Sequence, residues 1–249
     1  MEGSKGIDRL FYELASESRF GILMELQVKD LKMRQIARSL DLTDTETFRQ
    51  MQRLSEARLV QKQPDGTYRL TAYAKLVLNI TSPLDFISKF REYFLDHDAM
   101  LLPCEFRARL GELSKCELIT ATVETINKVT EFVKGAQRRI DSVILGFEAI
   151  TEVMRQRSQE GVKVRWLIED NSISRVTTIL RSWQQLPEIR SIPTVAGHYT
   201  VTDKAAMLIL RYNDGTWSYV SFIGEDASFL KWTEELFMYE WQKAKPWHP

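Results

Sequence analysis

Residues 33–70 decide the fold of the first part of this chain, and they read MRQIARSLDLTDTETFRQMQRLSEARLVQKQPDGTYRL. Two short segments of this stretch place inward-facing residues at the spacing of one helical face, and residues 41–43 separate them. The inward positions are Ile36, Ala37 and Leu40 in the first segment, and Thr47, Met51 and Leu54 in the second. A turn signal at Pro64-Asp65-Gly66 then precedes the strand-like Thr67–Leu70. The stretch therefore predicts two helices followed by a small hairpin.

The second of these helices has a clear start signal. Thr43 stands where its hydroxyl can cap the helix, and Glu46, three residues later, completes the pattern of a capping box. Two helices joined by a tight turn and followed by a hairpin are the element order of a winged helix-turn-helix. In that fold the second helix enters the major groove of DNA, and the hairpin contacts the flanking backbone.

Residues 8–80 as a whole resemble the winged-helix domains of ArsR-like and TrmB-like archaeal transcription regulators. The segments that carry the resemblance are Ile36-Ala37, Leu42-Thr43, the helix from Thr47 to Leu54, Ala57–Val60 and Tyr68–Thr71. The chain departs from the family pattern at Arg58, where many relatives have glycine. The resemblance implies a DNA-binding domain over residues 1–80.

The second helix and the hairpin carry side chains suited to a DNA interface. The residues expected to line the DNA are Thr43, Thr45, Arg49, Gln50, Arg53, Lys62 and Arg69. Arginine can pair with guanine, and glutamine with adenine, through two hydrogen bonds, whereas the hairpin cations would meet phosphates.

Two points stay open from the sequence. Arg49 and Arg53 could instead pair with Glu46 and Glu56 on a solvated helix face. Phe48, a large apolar residue beside them, could touch a thymine methyl group or pack on a neighbouring element.

The composition is that of an ordinary globular protein. The 249 residues suffice for two domains, with 44% hydrophobic and 27% charged residues. Lys+Arg and Asp+Glu both number 34, so DNA contact would have to come from the distribution of charge. Cys104 and Cys116 form no CxxC motif, and with three histidines they give no zinc-ligand spacing. We therefore expect no metal and no cofactor.

The sequence also predicts a cytoplasmic location with no membrane partner. No apolar run approaches the ~20 residues that a membrane span needs. The N-terminal MEGSKGIDRL lacks the apolar core of a signal peptide.

A helical linker is expected over residues 81–113. Ser82-Pro83 should stop the helix that starts near Thr71, and an amphipathic pattern follows it. The apolar positions of that pattern are Leu84, Ile87, Phe90, Phe94 and Leu95. Such a face needs a cover, either a second copy of the chain or the second domain. We expect a homodimer, with this region as one place for its contact.

Strands and helices alternate over residues 114–249. Strands are predicted at 116–119, 140–146, 162–168, 189–192, 199–202, 206–212 and 217–223, with helices at 123–136, 149–159, 174–183 and after Asp226. Asn213-Asp214-Gly215 is a strong hairpin turn. This alternation predicts a mixed α/β, sandwich-like domain. The fold class of the chain is therefore α+β: an N-terminal winged helix-turn-helix, a helical linker and this C-terminal domain.

The second half resembles a sensor-like module of archaeal regulators, including regulators of methanogen metabolism, and more distantly the phospholipase D sheet. The segments that carry this are Leu102-Pro103, Arg109–Leu113, Gly146-Phe147-Glu148, Glu160–Val164, Trp232, Glu235–Phe237 and Trp241. Phospholipase D catalysis needs a histidine nucleophile and a lysine two residues later. Here His198 is followed by Thr200 at that position, and Lys204 comes six residues after the histidine. The chain also has no GxSxG, P-loop or GxGxxG motif, so we predict that it is not an enzyme.

A small effector could bind where strands of the second domain end or begin. The candidate residues are Phe147, Glu148, Glu169, Asn171, His198 and Tyr199, any one of which could instead be an ordinary residue of a solvated loop. The predicted function is a sequence-specific, homodimeric transcription regulator with an effector-sensing or dimerisation domain, whose partner is double-stranded DNA. The alternatives are a winged-helix protein-interaction module that binds no DNA, and a phosphodiesterase.

Overall fold

A computed structural model of the protein describes residues 5–144 and 148–248. The chain divides into two compact units, Met1–Thr81 and Ser82–Pro249. Both units combine helices with a β-sheet, which confirms the predicted mixed α+β class.

The first unit places short helices beside a small antiparallel sheet. Its helices are α1 (Lys5–Leu14), α2 (Glu17–Val28), α3 (Met33–Ser39) and α4 (Asp44–Glu56), and its strands are β1 (Leu31–Lys32), β2 (Val60–Lys62) and β3 (Thr67–Leu70). Strand β3 lies between β1 and β2 and pairs antiparallel with both. The helix α5 (Ala72–Lys89) follows β3.

The core of the first unit contains the residues that the helical spacing predicted. Ile36, Met51 and Leu54 are between 0% and 2% exposed, and they pack with Ile22 and Leu23 of α2. Burying each such side chain contributes roughly 1.5–3 kcal/mol. Packing of this core fixes which side of α4 faces outward.

The start of α4 follows the predicted signal in part. The Thr43 hydroxyl accepts a hydrogen bond from the backbone N–H of Glu46 at 3.2 Å, so the N-cap is present. The Glu46 carboxylate accepts a hydrogen bond from the Ser18 hydroxyl instead of closing the capping box. The tertiary contact with α2 therefore replaces the second half of the local motif.

The end of α4 adopts a Schellman geometry without the glycine that usually supports it. The Leu59 N–H donates to the Leu54 carbonyl at 2.9 Å, and the Arg58 N–H donates to the Ser55 carbonyl at 3.0 Å. Arg58 has a φ of 58°, in the left-handed region that favours glycine. Arg58, which stands where many relatives of the resembled family have glycine, is thus a strained backbone position.

Helix α5 runs through Pro83, so the prediction that Ser82-Pro83 stops this helix is wrong. A proline inside a helix costs about 3 kcal/mol. Beyond it, Phe86 is 1% exposed and packs against Phe90 and Phe222, with ring centroids 4.9 and 5.4 Å away. Burial of one such ring contributes up to ~3 kcal/mol, and each aromatic pair about 0.5–1.5 kcal/mol more. Packing therefore outweighs the local break.

The second unit consists of a mixed sheet and the helices that cover it. Its helices are α6 (Arg91–Asp96), α7 (Cys104–Arg107), α8 (Thr122–Lys134), α9 (Glu148–Gln159), α10 (Ile173–Leu180) and α11 (Ala227–Lys243). Its strands are β4 (Glu117–Ile119), β5 (Arg139–Val143), β6 (Lys163–Glu169), β7 (Glu188–Ile192), β8 (His198–Thr202), β9 (Ala206–Ile209), β10 (Ser221–Gly224) and β11 (Lys245–Pro246). Short 3-10 turns occupy Ala99–Leu101, Leu110–Leu113 and Asp170–Ser172.

The strands of the second unit lie in the order β11-β7-β6-β5-β8-β9-β10-β4. Strands β5, β6 and β7 are parallel to one another, and the other neighbours pair antiparallel. Gly215, with φ 83°, closes the predicted 213–215 turn. The strand predicted at 217–223 begins only at Ser221, because Trp217 forms no more than an isolated bridge with Arg211.

Helices cover both faces of this sheet. Along β6, Trp166 and Ile168 pack in one hydrophobic cluster, whereas Leu167 packs in the other, as the alternation of a strand requires. The first cluster includes residues of α8, α9 and α10, and the second includes Trp232 and Phe237 of α11. The sheet is therefore the middle layer of the second unit.

The predicted linker face is divided between core and surface. Phe86 is buried in the core of the second unit, and Phe90 and Phe94 pack against that core. Leu84 and Ile87 remain 52% and 38% exposed. No helix within residues 5–144 and 148–248 is long and apolar enough to cross a membrane.

Candidate nucleic-acid interface

One face of α4 carries a row of exposed side chains. Thr45, Phe48, Arg49 and Gln52 are exposed and follow the i, i+3, i+4, i+7 spacing that places side chains on one face of a helix. We call these four residues the outer stripe of α4. The opposite face is anchored by the buried Thr47, Met51 and Leu54. The stripe thus offers a hydroxyl, an aromatic ring, a guanidinium and an amide to whatever meets this face.

The prediction that Gln50 reads DNA conflicts with its place in the structure. Gln50 is 7% exposed, and its Oε1 accepts a hydrogen bond from Arg19 Nη1 at 3.2 Å. Moving it to a base edge would leave a buried guanidinium without one acceptor. Gln52 has the same amide and lies on the outer stripe. The helical period was the signal that could have distinguished the two glutamines.

Arg53 and Arg49 differ in their surroundings. The Arg53 side chain is 38% exposed, and its Nη2 lies 3.1 Å from Glu13 Oε1 in α1. Its guanidinium also lies 5.1 Å from the centroid of the Tyr12 ring. Arg49 is exposed and makes no ion pair within the described residues. Of the two arginines, only Arg53 is engaged in an ion pair in the described part of the chain.

The sequence left open whether Arg49 and Arg53 pair with Glu46 and Glu56, the two acidic residues near them on α4. Within the described part of the chain, Glu46 accepts from Ser18, and Glu56 accepts from Gln52 at 3.1 Å. Neither acid pairs with Arg49 or Arg53, so the alternative ion pairs on α4 do not form.

A buried ion pair joins α1 to α2, and hydrogen bonds extend from it to α4. Glu13 and Arg19 are 5% and 6% exposed, and Arg19 Nε lies 2.9 Å from Glu13 Oε2. Arg19 also donates to the backbone carbonyl of Tyr12 at 2.7 Å. Through Gln50 and Arg53 the same network reaches α4, and we call these residues, Glu13, Arg19, Gln50 and Arg53, the Glu13 network.

The hairpin between β2 and β3 carries two exposed cations. Lys62 is exposed, with its Nζ 6.0 Å from the Tyr68 ring centroid. Arg69 is exposed and donates to Asp30 Oδ2 at 3.0 and 3.1 Å. An exposed pair of this kind contributes only about 0–1 kcal/mol, so Arg69 can exchange Asp30 for another anion at little cost.

The described candidate effector residues lie in three different places: two separate clefts and the core of the second unit. Phe147 lies outside the described residues. Glu148 lines a cleft of about 850 Å³, together with Thr151, Glu152, Arg175 and Trp183. Glu169 and Asn171 line another cleft of about 320 Å³. The predicted set therefore does not form one site within the described residues.

The smaller cleft contains a buried ion pair. Glu169 is 6% exposed, and it pairs with Arg211, whose guanidinium lies 3.8 Å from the Trp217 ring centroid. Glu169 also accepts a hydrogen bond from the Val195 N–H at 3.3 Å. Asn171 is exposed at the rim of the same cleft.

His198 and Tyr199 are interior residues, and the prediction that they line an effector site conflicts with their burial. Strand β8 lies between β5 and β9, so both residues fall in the middle of the sheet. Burial lowers the pKa of His198 to about 3, and its ring packs edge-on against Trp217. Tyr199 is fully buried and donates to Glu240, and burial raises its pKa. Neither residue lines the two clefts described above.

The position that phospholipase D fills with lysine is also interior. Thr200 is 3% exposed, and its hydroxyl lies 2.7 Å from Ser142 Oγ. Within the ranges that the structure describes, no three His, Cys, Asp or Glu residues gather closely enough to hold a metal ion.

No protein-family model and no curated protein matches this chain. Among solved structures it is similar to TrmBL2, described as an archaeal chromatin protein with a novel mode of DNA binding, at 16% identity and a TM-score of 0.44, over 96% of this chain and 99% of that one. NucT from Helicobacter pylori aligns with 53% of this chain and 99% of its own at 11% identity and a TM-score of 0.42. Nuc from Salmonella typhimurium, a phospholipase D family member, aligns with 49% and 90% at 11% identity and a TM-score of 0.39. Similarities this distant leave the function to be argued from the residues themselves.

Proposed function

We propose that residues 1–80 form a winged helix-turn-helix domain that binds double-stranded DNA, and that the chain is a sequence-specific transcription regulator. Helix α4 is the reading helix, and the β2–β3 hairpin is the wing. The observation that carries this proposal is the outer stripe of α4, whose exposed groups suit the edges of base pairs.

Two members of the stripe have the chemistry of direct base readout. Arg49 can donate two hydrogen bonds to guanine O6 and N7, and Gln52 can pair with adenine N6 and N7. Each good pair of this kind discriminates by about 1–3 kcal/mol. Arg49 makes no ion pair within the described residues, so its binding to a base breaks none.

The wing would contribute phosphate contacts, which position the protein without reading sequence. Lys62 and Arg69 are the two exposed cations of the hairpin. Each phosphate neutralised adds about 0.9 to the slope of log affinity against log salt. With these two contacts, we expect a slope of about 2 for each copy of the chain that binds.

We further propose that the chain acts as a homodimer through the first unit. Ile7 and Phe11 of α1 are 54% and 52% exposed, and Tyr73, Leu76 and Ile80 of α5 are 47% to 64% exposed. Exposed apolar faces of this kind are typical of protein–protein contacts. If a second copy packs on them, the dimer would bring two reading helices to half-sites about 34 Å apart.

We also propose that a small polar effector binds the second unit, in the cleft that Glu169 and Asn171 line.

The test is selection of bound duplexes from a random pool, followed by titration of variants on the selected site. Arg49→Ala should weaken that site by about 1–3 kcal/mol and relax one base position. Lys62→Ala should weaken all sequences alike and lower the salt slope by about 1 for each bound copy. Arg91→Ala, at an exposed arginine of the second unit, is the matched control and should bind as the unmodified chain does.

The result that contradicts the proposal is equally specific. If no duplex is enriched, or if Arg49→Ala and Lys62→Ala bind the selected site unchanged, α4 and the hairpin are not a DNA interface. If the chain binds no DNA but binds a protein through the outer stripe of α4, it is a protein-interaction module instead.

A further inference from the structure

Phe48 lies in the middle of the outer stripe and is 58% exposed. Thr45 precedes it by three residues and Gln52 follows it by four, so polar groups flank it one turn away on each side. In the described part of the chain it belongs to none of the hydrophobic clusters, although other partly buried residues of the first unit do. More than half of the Phe48 surface is therefore not covered by the chain itself.

The neighbour of Phe48 restricts what can cover the ring. Arg49 is adjacent, exposed and without an ion pair in the described residues. An apolar protein surface laid over Phe48 would also desolvate this guanidinium, which is costly unless a partner satisfies it. Whatever covers Phe48 must therefore also supply hydrogen-bond acceptors to Arg49.

The major groove satisfies both residues at once. Its floor presents guanine O6 and N7 as acceptors, and the 5-methyl group of thymine is the apolar group that it offers. Consecutive Cα atoms, such as those of residues 48 and 49, are about 3.8 Å apart, and base pairs are stacked about 3.4 Å apart. The ring and the guanidinium therefore fall on the same base step or on adjacent ones.

We propose that Phe48 is a thymine-reading residue, whose ring packs on the 5-methyl group of a thymine beside the base pair that Arg49 contacts. This inference rests on the proposed DNA-binding function and deepens it, since it names the base that each half-site must carry. One methyl group removed from such a contact should weaken binding about fourfold, from the transfer free energy of one buried carbon group.

The experiment removes the methyl group and nothing else. Each thymine of the selected site is replaced in turn by deoxyuridine, which pairs identically but lacks the 5-methyl group. With the unmodified chain, one thymine in each half-site should show the fourfold loss, next to the position that Arg49→Ala relaxes. With Phe48→Ala, binding should be weaker overall, and the same replacement should have no further effect.

Two comparisons make the result specific. Gln52→Ala changes a neighbouring residue of the stripe and should keep full sensitivity to deoxyuridine. Placing 5-methylcytosine or cytosine at the sensitive position separates the methyl group from the base, and methylation should recover part of the loss. Because Phe48 is exposed, Phe48→Ala should unfold at the same temperature as the unmodified chain.

The outcomes separate the inference from the function on which it rests. If the chain binds a selected site but every thymine tolerates deoxyuridine, or if Phe48→Ala keeps the sensitivity, thymine reading is wrong and DNA binding stands. If no duplex is enriched at all, the DNA-binding function fails and the inference fails with it.

Discussion

Replacement of Glu13 by glutamine tests whether the Glu13 network holds the first unit together. Glutamine keeps the size of the side chain but removes its charge. Glu13 and Arg19 are 5% and 6% exposed, so the change leaves a buried guanidinium without its counter-charge. Removing one partner of a buried pair costs about 3–5 kcal/mol.

The remaining contacts of Arg19 place the expected cost at the lower end of that range. Its guanidinium still donates to the backbone carbonyls of Tyr12 and Glu13 at 2.7 and 2.9 Å, and to Gln50 at 3.2 Å. Arg53, which is partly solvated, should add little. We therefore expect the free energy of unfolding of the first unit to fall by about 3 kcal/mol.

The assay must report on the first unit alone. Tryptophan fluorescence does not, because all six tryptophans lie after residue 81, at 166, 183, 217, 232, 241 and 247. Hydrogen exchange of the α2 and α4 amides, read by mass spectrometry, follows the first unit directly. A loss of about 3 kcal/mol corresponds to exchange roughly 150-fold faster when those amides exchange through unfolding of the unit.

The control is Glu56→Gln, which neutralises an exposed acid of α4 and should change the free energy of unfolding by less than about 0.5 kcal/mol. If Glu13→Gln changes exchange no more than Glu56→Gln does, the buried pair does not stabilise the contact between α1, α2 and α4, and our account of this network is wrong.

Three further results are expected. Arg58→Gly should stabilise the first unit by about 0.5–1 kcal/mol in hydrogen exchange, because a left-handed L residue costs ~1–2 kcal/mol and the freer unfolded glycine chain offsets part of that gain. Burial holds the pKa of His198 at about 3, below its unfolded value near 6.5. The stability that His198 contributes is therefore complete above pH ~6.5 and falls by up to about 1.4 kcal/mol per pH unit below it, and urea midpoints from pH 7 to 5 should decline more steeply than in His198→Gln. Iodoacetamide should label the exposed Cys104 in the folded protein and spare the buried Cys116, whose pKa burial raises to about 12, as peptide mass mapping would report.

Each of these results has a contrary outcome. Equal stabilisation by Arg58→Ala, which retains the Cβ atom, would show that backbone strain at this position is not the cause. Parallel pH slopes for the unmodified chain and His198→Gln would remove His198 as a source of acid sensitivity. Labelling of Cys116 as fast as Cys104 would contradict the burial of its thiol.

Local signals in the sequence were sufficient where one turn of chain decides the structure. The Thr43 cap, the buried Ile36, Met51 and Leu54, and the 213–215 turn all appear as predicted. A cap reaches three residues, and helical spacing repeats within seven, so both can be read directly from the order of residues. The same spacing places Gln52, rather than Gln50, on the outer face of α4.

Longer-range contacts were not available from the sequence. Arg53 pairs with Glu13, 40 residues away, instead of with an acid one turn along its own helix. Helix α5 continues through Pro83 because Phe86 is buried among aromatic rings, which the local break signal cannot register.

The sequence by itself determined that α4 begins after Thr43 and which of its faces is buried, and it supplied the candidate side chains for DNA contact. Only the tertiary structure decided which of those side chains are free. It left Arg49 and Phe48 exposed, engaged Gln50 and Arg53 in the Glu13 network, and enclosed His198 within a central strand. The physical reason is that a residue's chemical type sets what it can bind, whereas burial and ion-pair partners depend on which elements pack against it.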